Sequence, residues 1–525
     1  MRILSHKPSH DGAIACVEDA SLRYSIEGEK DSNPRHSEFS LERALELWET
    51  TGRPDVLASS GWDQLHGGYW GIRSKGIVSR DADLLGMPVT RFASSHERSH
   101  LLCAYGMSPF PQGQPCYALV WEGIFGNFYF VDDEVRFTRL GSPLLGPGYL
   151  FAFVYFLLKK TVYRNFGGDL RDAGKLMALA AFGAGDEPCA KIRTELERLF
   201  ALPVVGDARS GHNLVIDKDA AGFEFSDIGF EHPTAALLAF HFQNELFARF
   251  ETFARGVVSA KLPLLISGGC GLNCQWNSWW EATGLFEDVF VPPCCNDSGS
   301  AIGTAIDAQL LLTGNAKIRW EVYAGEEFLW NRDWPPASFE ERPFDVESIA
   351  RHLLHGRILA WVQGRYEIGP RALGARSILA EPFSTVTRDR LNQLKHREAY
   401  RPIAPVTTEA AALKNFGSSR PTPHMLNVRQ VTNAELAGVT HVDGSARLQT
   451  VSRDQAPRLF DLLEVFGRLR RAPVLANTSL NFPGRGFINR SSSLSEFVEG
   501  RDIDLVVVNE RLFIREQLPC REGDR

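Results

Sequence analysis

The strongest constraint on the fold is an alternation of short strands and helices that runs, breaks once, and starts again. The opening reads as three strands, over 3–5, 12–18 and 22–27, with the turn Ser9-His10-Asp11-Gly12 between the first two. A helix is expected over 40–48, where Ser40 can cap the free N–H groups and Glu42 puts negative charge in the first turn. Strands are expected again over 116–121, 262–266 and 289–291. Helices over 235–253 and 302–312 carry apolar residues at helical spacing. The break falls at 330–343, rich in Pro and charge and without periodicity. After it a helix over 346–355 and a strand over 358–363 resume the pattern. This alternation predicts an α/β fold. At 525 residues the chain exceeds what one core supports, so two domains are expected, 1–340 and 341–525.

Charge separates these halves. Residues 341–525 hold 27 Lys and Arg against 21 Asp and Glu, while 1–340 hold 30 against 43. In the C-terminal part 25 of the cations are Arg, the side chain suited to bidentate contact with phosphate or carboxylate. Many lie in or near the block Gly364-Arg365-Tyr366-Glu367-Ile368-Gly369-Pro370-Arg371-Ala372-Leu373-Gly374-Ala375-Arg376-Ser377, followed by Lys395-His396-Arg397, Arg401 and Asn477-Thr478-Ser479-Leu480-Asn481. Interleaving with Gly, Pro and apolar residues argues for a built anion site rather than a solvated basic face. The acidic bulk excludes non-specific nucleic-acid binding. No apolar run is long enough for a bilayer, and no secretory leader is visible, so a cytoplasmic protein without a membrane partner is expected. The nine cysteines form no Cys-x-x-Cys pair, and free thiols are expected.

Four motifs in the first half carry chemistry. His96 and His100, at i and i+4, share one face of a helix and can bind one metal. Asp297, before a Gly-rich turn and a helix, is the candidate third ligand. Ser267-Gly268-Gly269-Cys270-Gly271-Leu272-Asn273 follows a strand, where closely spaced glycines let a phosphate approach the backbone. Lys175 stands alone on a small, apolar helix. His10, on the first hairpin, could take a proton from an alcohol. Each motif alone also has a plain structural reading, as a surface His pair, a tight turn, a snorkelling Lys or a hydrogen-bonded His.

Their order along nearly the whole chain resembles the antibiotic O-carbamoyltransferase family, which includes tobramycin, cephalosporin, ansamycin and nodulation-factor carbamoyltransferases. The resemblance rests on His-Asp-Gly-Ala, His-x-x-Ser-His, Gly-Lys-x-Met-x-Leu-Ala, Ser-Gly-Gly and Asn-Asp-x-Gly. It continues through Gly-Pro-Arg-Ala-Leu-Gly-x-Arg-Ser, Lys-x-Arg-Glu, Arg-Pro-x-Ala-Pro, Thr-His-Val-Asp-Gly-x-Ala-Arg-x-Gln and Asn-Thr-Ser-x-Asn. It implies an actin-like N-terminal domain, similar to the one that transfers threonylcarbamoyl groups to tRNA, and a YrdC-like C-terminal domain. The implied reaction forms carbamoyl-AMP from carbamoyl phosphate and ATP, then carbamoylates a hydroxyl of a small natural product. By this resemblance His96, His100 and Asp297 hold a divalent metal, Fe2+ first among the candidates, and His10 is the catalytic residue. Arg371, Arg376, Lys395, Arg397, Arg401, His441, Asn477, Ser479 and Asn481 then serve carbamoyl phosphate and ATP. Lys175, Gly268, Gly269 and Asn273 serve a nucleotide in the N-terminal domain.

Mg2+ and a homodimer are further expectations, and the acceptor pocket is expected among loops such as 58–77. The chain departs from the family pattern at Glu122-Gly123, where Asp-Gly is usual, at Leu480, where Phe is usual, and over Asn481-Phe482-Pro483-Gly484-Arg485-Gly486. Lys7-Pro8-Ser9 is closer to the cephalosporin branch. A tRNA threonylcarbamoyl-type enzyme and a non-catalytic nucleotide-binding relative are the alternatives. The first would need a basic surface, and the second would be suggested by loss of His10, a metal ligand or Lys395.

Overall fold

A computed structural model describes residues 1–61, 68, 70–72, 76–84, 87–166, 172–185, 187–202 and 216–516. The expected mixed α/β character is observed, with helices between and after strands throughout. The chain packs as two compact units. One comprises Met1–Met107, Asp297–Thr440 and Gly444–Arg525; the other comprises Ser108–Asn296 with His441–Asp443.

The first unit opens with β1 (Arg2–Lys7), β2 (Ala13–Glu18) and β3 (Ser21–Glu27), then α1 (Leu41–Thr51), β4 (Val56–Ser60), β5 (Gly76–Leu84), β6 (Met87–Ser94) and α2 (His96–Met107). The strands form one sheet in the order β3-β2-β1-β4-β6-β5. β1, β2 and β3 pair antiparallel, as their short turns require, while β4 joins β1 and β6 joins β4 in parallel. Ser40 caps α1 as expected, accepting from the Arg43 N–H at 3.2 Å.

A second sheet begins within the 330–343 segment, at Phe339–Arg342, and its eight strands are all drawn from Phe339 onward. Its central strands Leu359–Val362, Arg376–Ala380, Val474–Ser479 and Leu505–Val508 have almost no polar face. Alternation explains this. Ala360, Val362, Ile378, Ala476 and Val506 join one apolar cluster, while Leu359, Trp361, Leu379, Leu475 and Val507 join another on the opposite face. A strand covered on both sides reads as a continuous apolar run.

The packing division therefore differs from the sequence expectation: sheets change at 340, but the compact units divide at 107/108 and 296/297. The reason lies in the loop 28–37 and its neighbours. Lys30 Nζ donates to Gly369 O at 2.6 Å, Gly369 N donates to Glu27 Oε1, Ser32 N to Phe487 O, Arg35 N to Gly484 O, and Gly486 N to Asn33 O. The N-terminal sheet and the C-terminal sheet are thus stitched into one body.

The second unit carries a sheet of Val289–Phe290, Leu264–Ser267, Cys116–Trp121, Gly126–Val131 and Phe137–Gly141 in that order. Its last three strands pair antiparallel and its first two add in parallel, the same layout as the β3-β2-β1-β4-β6 run. Trp121 stacks on Trp276 with centroids 4.5 Å apart. The apolar helix Pro147–Leu158 is buried nearly all round, which accounts for its composition. Among the described residues no helix is long and apolar enough to cross a membrane, and the cysteines are free.

Candidate active site

Two clusters of chemistry-bearing side chains lie in the first unit. The first is built at the N-terminus of α2, where the His96 and His100 rings meet edge to face one turn apart and their Nε2 atoms approach to 3.2 Å. Asp297 sits in a 3-10 turn that leads into the helix Ser300–Thr313. That helix lies almost in contact with the α2 backbone. A Cβ on Gly303 would fall 1.8 Å from Ser99 O, so glycine is required for this approach. Ser99 and Thr304 hydroxyls bond across it at 2.7 Å, and Ser94 and Arg98 both bond Asp307. The result places Asp297 Oδ1 3.5 Å from His96 Nε2 and 3.3 Å from His100 Nε2.

All three side chains are buried, and their ligand atoms lie within 4.8 Å of one another. Burial pushes the His96 imidazole down to about 4, against the pull of Asp297. Desolvation would raise the Asp297 carboxyl, but His96 and Lys7 override it and hold the group well below the ordinary range. A neutral His96 imidazole beside a charged carboxylate suits a divalent cation, and the His96, His100 and Asp297 donor set fits iron among others.

Lys7, at the end of β1, is fully buried with its Nζ 3.3 Å from Asp297 Oδ2, and it donates to His10 O. His10 lies on the adjoining turn, its Nδ1 3.9 Å from Asp297 Oδ2 and 3.0 Å from Asp11 Oδ2. His36 Nδ1 is 2.9 Å from Asp11 Oδ1. Sequence reasoning singled out His10 but not Lys7, Asp11 or His36. Lys7 ends a strand that also carries Arg2, Ser5 and His6, and His36 lies in a loop without periodicity, so neither offered a clear signal. Of the loop 58–77 expected to shape an acceptor pocket, residues 62–67, 69 and 73–75 lie outside the described residues.

The second cluster surrounds the C-terminus of the helix Thr385–Leu394. Lys395 caps that helix, and its buried Nζ donates to Ser479 O, Asn481 O and Asn481 Oδ1, each at 2.6 Å. Arg397 reaches Thr478 Oγ1 at 3.0 Å and Ser479 Oγ at 3.4 Å. Asn477 bonds Ala372 O and Gln449 Oε1, which ties the strand Val474–Ser479 to the Gly-Pro-Arg loop. Burial pushes the Lys395 ammonium well below its ordinary value, and Arg397, Arg501, Arg401 and Arg35 push it further. Burial likewise lowers Arg397, with Arg401, Arg447, Arg35 and Arg371 adding to it. Glu398 lies 3.6 Å from Arg401 and Glu29 3.6 Å from Arg35, and the excess of positive charge beyond these carboxylates favours a bound anion. Arg35, Arg447 and Arg501 were not singled out from sequence, although Arg447 lies inside a quoted motif.

Other expected site residues are placed differently. Arg376 is wholly buried, donating to Gln363 O, Gly364 O, Ala375 O and Asn489 Oδ1, so it organises the loop rather than facing the cations. His441 packs in the second unit, its Nε2 3.1 Å from Ala178 O and its ring against Phe182. There too Lys175 pairs with Asp172 at 3.0 Å. Gly268, at φ +98°, approaches so close that a Cβ would meet Trp121 O at 2.4 Å, and Gly269 N donates to Glu122 Oε1 at 2.8 Å. The Asn273 side chain caps the helix Cys274–Ala282. Cys274 touches Met177 Sδ, so the Lys175 helix borders the glycine turn, and the space beside Gly269 is open.

Residues 87–306 match the family profile for the carbamoyltransferase N-terminus, and 350–515 that for the C-terminus. The chain is 44% identical to 3'-hydroxymethylcephem-O-carbamoyltransferases of Amycolatopsis lactamdurans and of Streptomyces clavuligerus, over 98% of this chain and 99% of each relative. The chain belongs to the carbamoyltransferase family. Nodulation protein U of Rhizobium tropici, 37% identical over 99% of this chain and 97% of its own, is a further relative. This carbamoyltransferase is therefore a transferase, and its two clusters are the places to seek the chemistry.

Proposed function

We propose that the protein is an ATP-dependent O-carbamoyltransferase that forms carbamoyl-AMP at the Lys395–Arg397 cluster and carbamoylates an alcohol at the His10–Asp297 cluster. The observation that carries this reading is the gathering of Arg397, Arg401, Arg371, Arg35 and Arg447 around Lys395 or one another, with Arg397 beside Thr478 and Ser479. A single carboxylate would not need that many cations, whereas a triphosphate and an acyl phosphate together would. The atoms balance when one water releases phosphate from carbamoyl phosphate. The carbamate oxygen then attacks the α-phosphorus of ATP, the α–β bond breaks, and pyrophosphate leaves.

In the second step the alcohol oxygen forms a bond to the carbamoyl carbon, the anhydride C–O bond breaks, and AMP departs with the electron pair. His10 takes the hydroxyl proton, and Lys7 holds the His10 carbonyl and the Asp297 carboxylate in place. A divalent ion held by His96, His100 and Asp297 would supply Lewis-acid polarisation of the carbamoyl carbonyl or bind the adenylate phosphate. The order of antiparallel and parallel strands, repeated in the two units, supports an actin-like ancestry for that half of the chain. The mixed eight-stranded sheet with its Lys-x-Arg and Ser-x-Asn groups supports a YrdC-like one for the other. The 44% relatives favour the hydroxymethyl group of a cephem as acceptor, in antibiotic biosynthesis.

Product analysis tests both steps. With ATP, labelled carbamoyl phosphate and metal but no acceptor, AMP and pyrophosphate should appear only when carbamoyl phosphate is present. Addition of a 3'-hydroxymethylcephem should then yield the labelled carbamate. Carbamate formation without ATP would overturn the adenylate, and turnover of other primary alcohols but not the cephem would overturn the acceptor.

A further inference from the structure

Asp11 stands between two imidazoles, and its surroundings are unusually determined. Its Oδ2 is 3.0 Å from His10 Nδ1, and its Oδ1 and Oδ2 are 2.9 and 3.1 Å from His36 Nδ1. A carboxylate only accepts, so both Nδ1 atoms must carry the proton. That choice turns the Nε2 edge of neutral His10 into a base, the form that removal of a proton from an alcohol requires. The backbone is committed to this arrangement. Asp11 and His36 both occupy the left-handed region, at φ 49° and 62°. Asp11 N donates to His36 O at 3.2 Å, and Gly12 N to Ser37 O at 3.0 Å. A Cβ on Gly12 would lie 2.3 Å from Phe39 N, so only glycine lets the two segments approach. His36 N in turn lies 3.4 Å from Glu29 Oε2, in the loop that is bonded to the C-terminal sheet.

We infer that Asp11 and His36 are positioning residues for carbamoyl transfer: His36 fixes the Asp11 carboxylate, and Asp11 fixes the tautomer and ring orientation of His10. The inference rests on the role proposed for His10 above. It adds that the competent form of His10 is set by a residue of the 28–37 loop, remote in sequence from both motif clusters. On this assignment both residues act through His10, and adenylate formation does not depend on them.

The test is a set of three variants assayed for both half-reactions in the metal-loaded full chain. H36L should lower kcat for acceptor carbamoylation about 10- to 100-fold, the usual cost of losing a group that orients a reacting side chain. Acceptor KM and carbamoyl-phosphate-dependent AMP release should stay near wild type. H36N, whose amide N–H can replace the Nδ1–H donor, should recover most of that loss, and D11N should resemble H36L. Equal loss of both half-reactions, no recovery in H36N, or full transfer activity in H36L would each overturn the inference. A wild-type enzyme that carbamoylates without ATP would overturn the adenylate route alone, since the His36 series still reads directly on the transfer rate.

Discussion

Lys395 and Arg397 stand two residues apart and do different work. Lys395 spends its three donors on Ser479 and Asn481, holding the Ser-x-Asn loop in shape, whereas Arg397 meets only two hydroxyls, at 3.0 and 3.4 Å. Among the described residues these two hydroxyls are the hydrogen-bond partners of the Arg397 guanidinium, which leaves its fork for phosphate oxygens. Arg397→Ala should abolish AMP and pyrophosphate release, at least 100-fold by the scale of lost transition-state donors. Arg397→Lys should recover little, because an ammonium lacks the planar fork. His96→Ala should instead lower bound metal, read by elemental analysis, and stop acceptor carbamoylation while AMP release continues. At this scale the sequence was informative where spacing has geometric meaning: His96 and His100 had to share a face. It was silent on direction. Arg371 and Arg376 look alike in the motif, yet one adds its charge to the cationic point and the other is bonded to carbonyls in the core.

At the level of elements, the helix pair is the part most exposed to small changes. The helix Ser300–Thr313 can deliver Asp297 to the histidines only while its backbone lies on α2 at Gly303. Gly303→Ala has no flexible neighbour to displace, since the nearest atom is a main-chain oxygen. It should destabilise the fold by roughly 1–3 kcal/mol, the range for overpacking, and reduce metal content in whatever protein folds. Thermal unfolding with metal analysis checks both. Leu311→Ala, exposed on the same helix, is the comparison, expected to keep the helix approach and the ion. Many elements were readable from periodicity: β1 to β3, α1, the helix Pro233–Val257 and the strand Leu359–Val362 lie within a few residues of their expected bounds, whereas Arg376–Ala380, Val474–Ser479 and Leu505–Val508 had no expected bounds. What periodicity could not convey was close approach. A glycine in a helix reads as a weak point until the neighbouring backbone is known.

For the whole molecule, the two clusters belong to one packed unit and the glycine-rich turn at Gly268 to the other. Charge balance and the proline-rich segment pointed to a division at 340, and the sheets do change there. Long-range hydrogen bonds from an irregular loop decided the packing, and no pattern in a single sequence announces those. Arg35, His36 and Glu29 place that loop against both clusters. Filling the cationic site with ATP and carbamoyl phosphate should accordingly slow amide hydrogen exchange over 28–37 as well as 395–401. Protection confined to 395–401 would show that the loop does not sense the nucleotide.

The stitching of 28–37 to 484–487 also bears on recombination between relatives. Acceptor range would ordinarily be transplanted by exchanging the first 340 residues of one carbamoyltransferase for those of another. Such a graft separates Ser32, Asn33 and Arg35 from the Phe487, Gly486 and Gly484 main-chain partners that they meet here. The seam that inherits intact is discontinuous, so the first forty residues should travel with the donor's own C-terminal sheet.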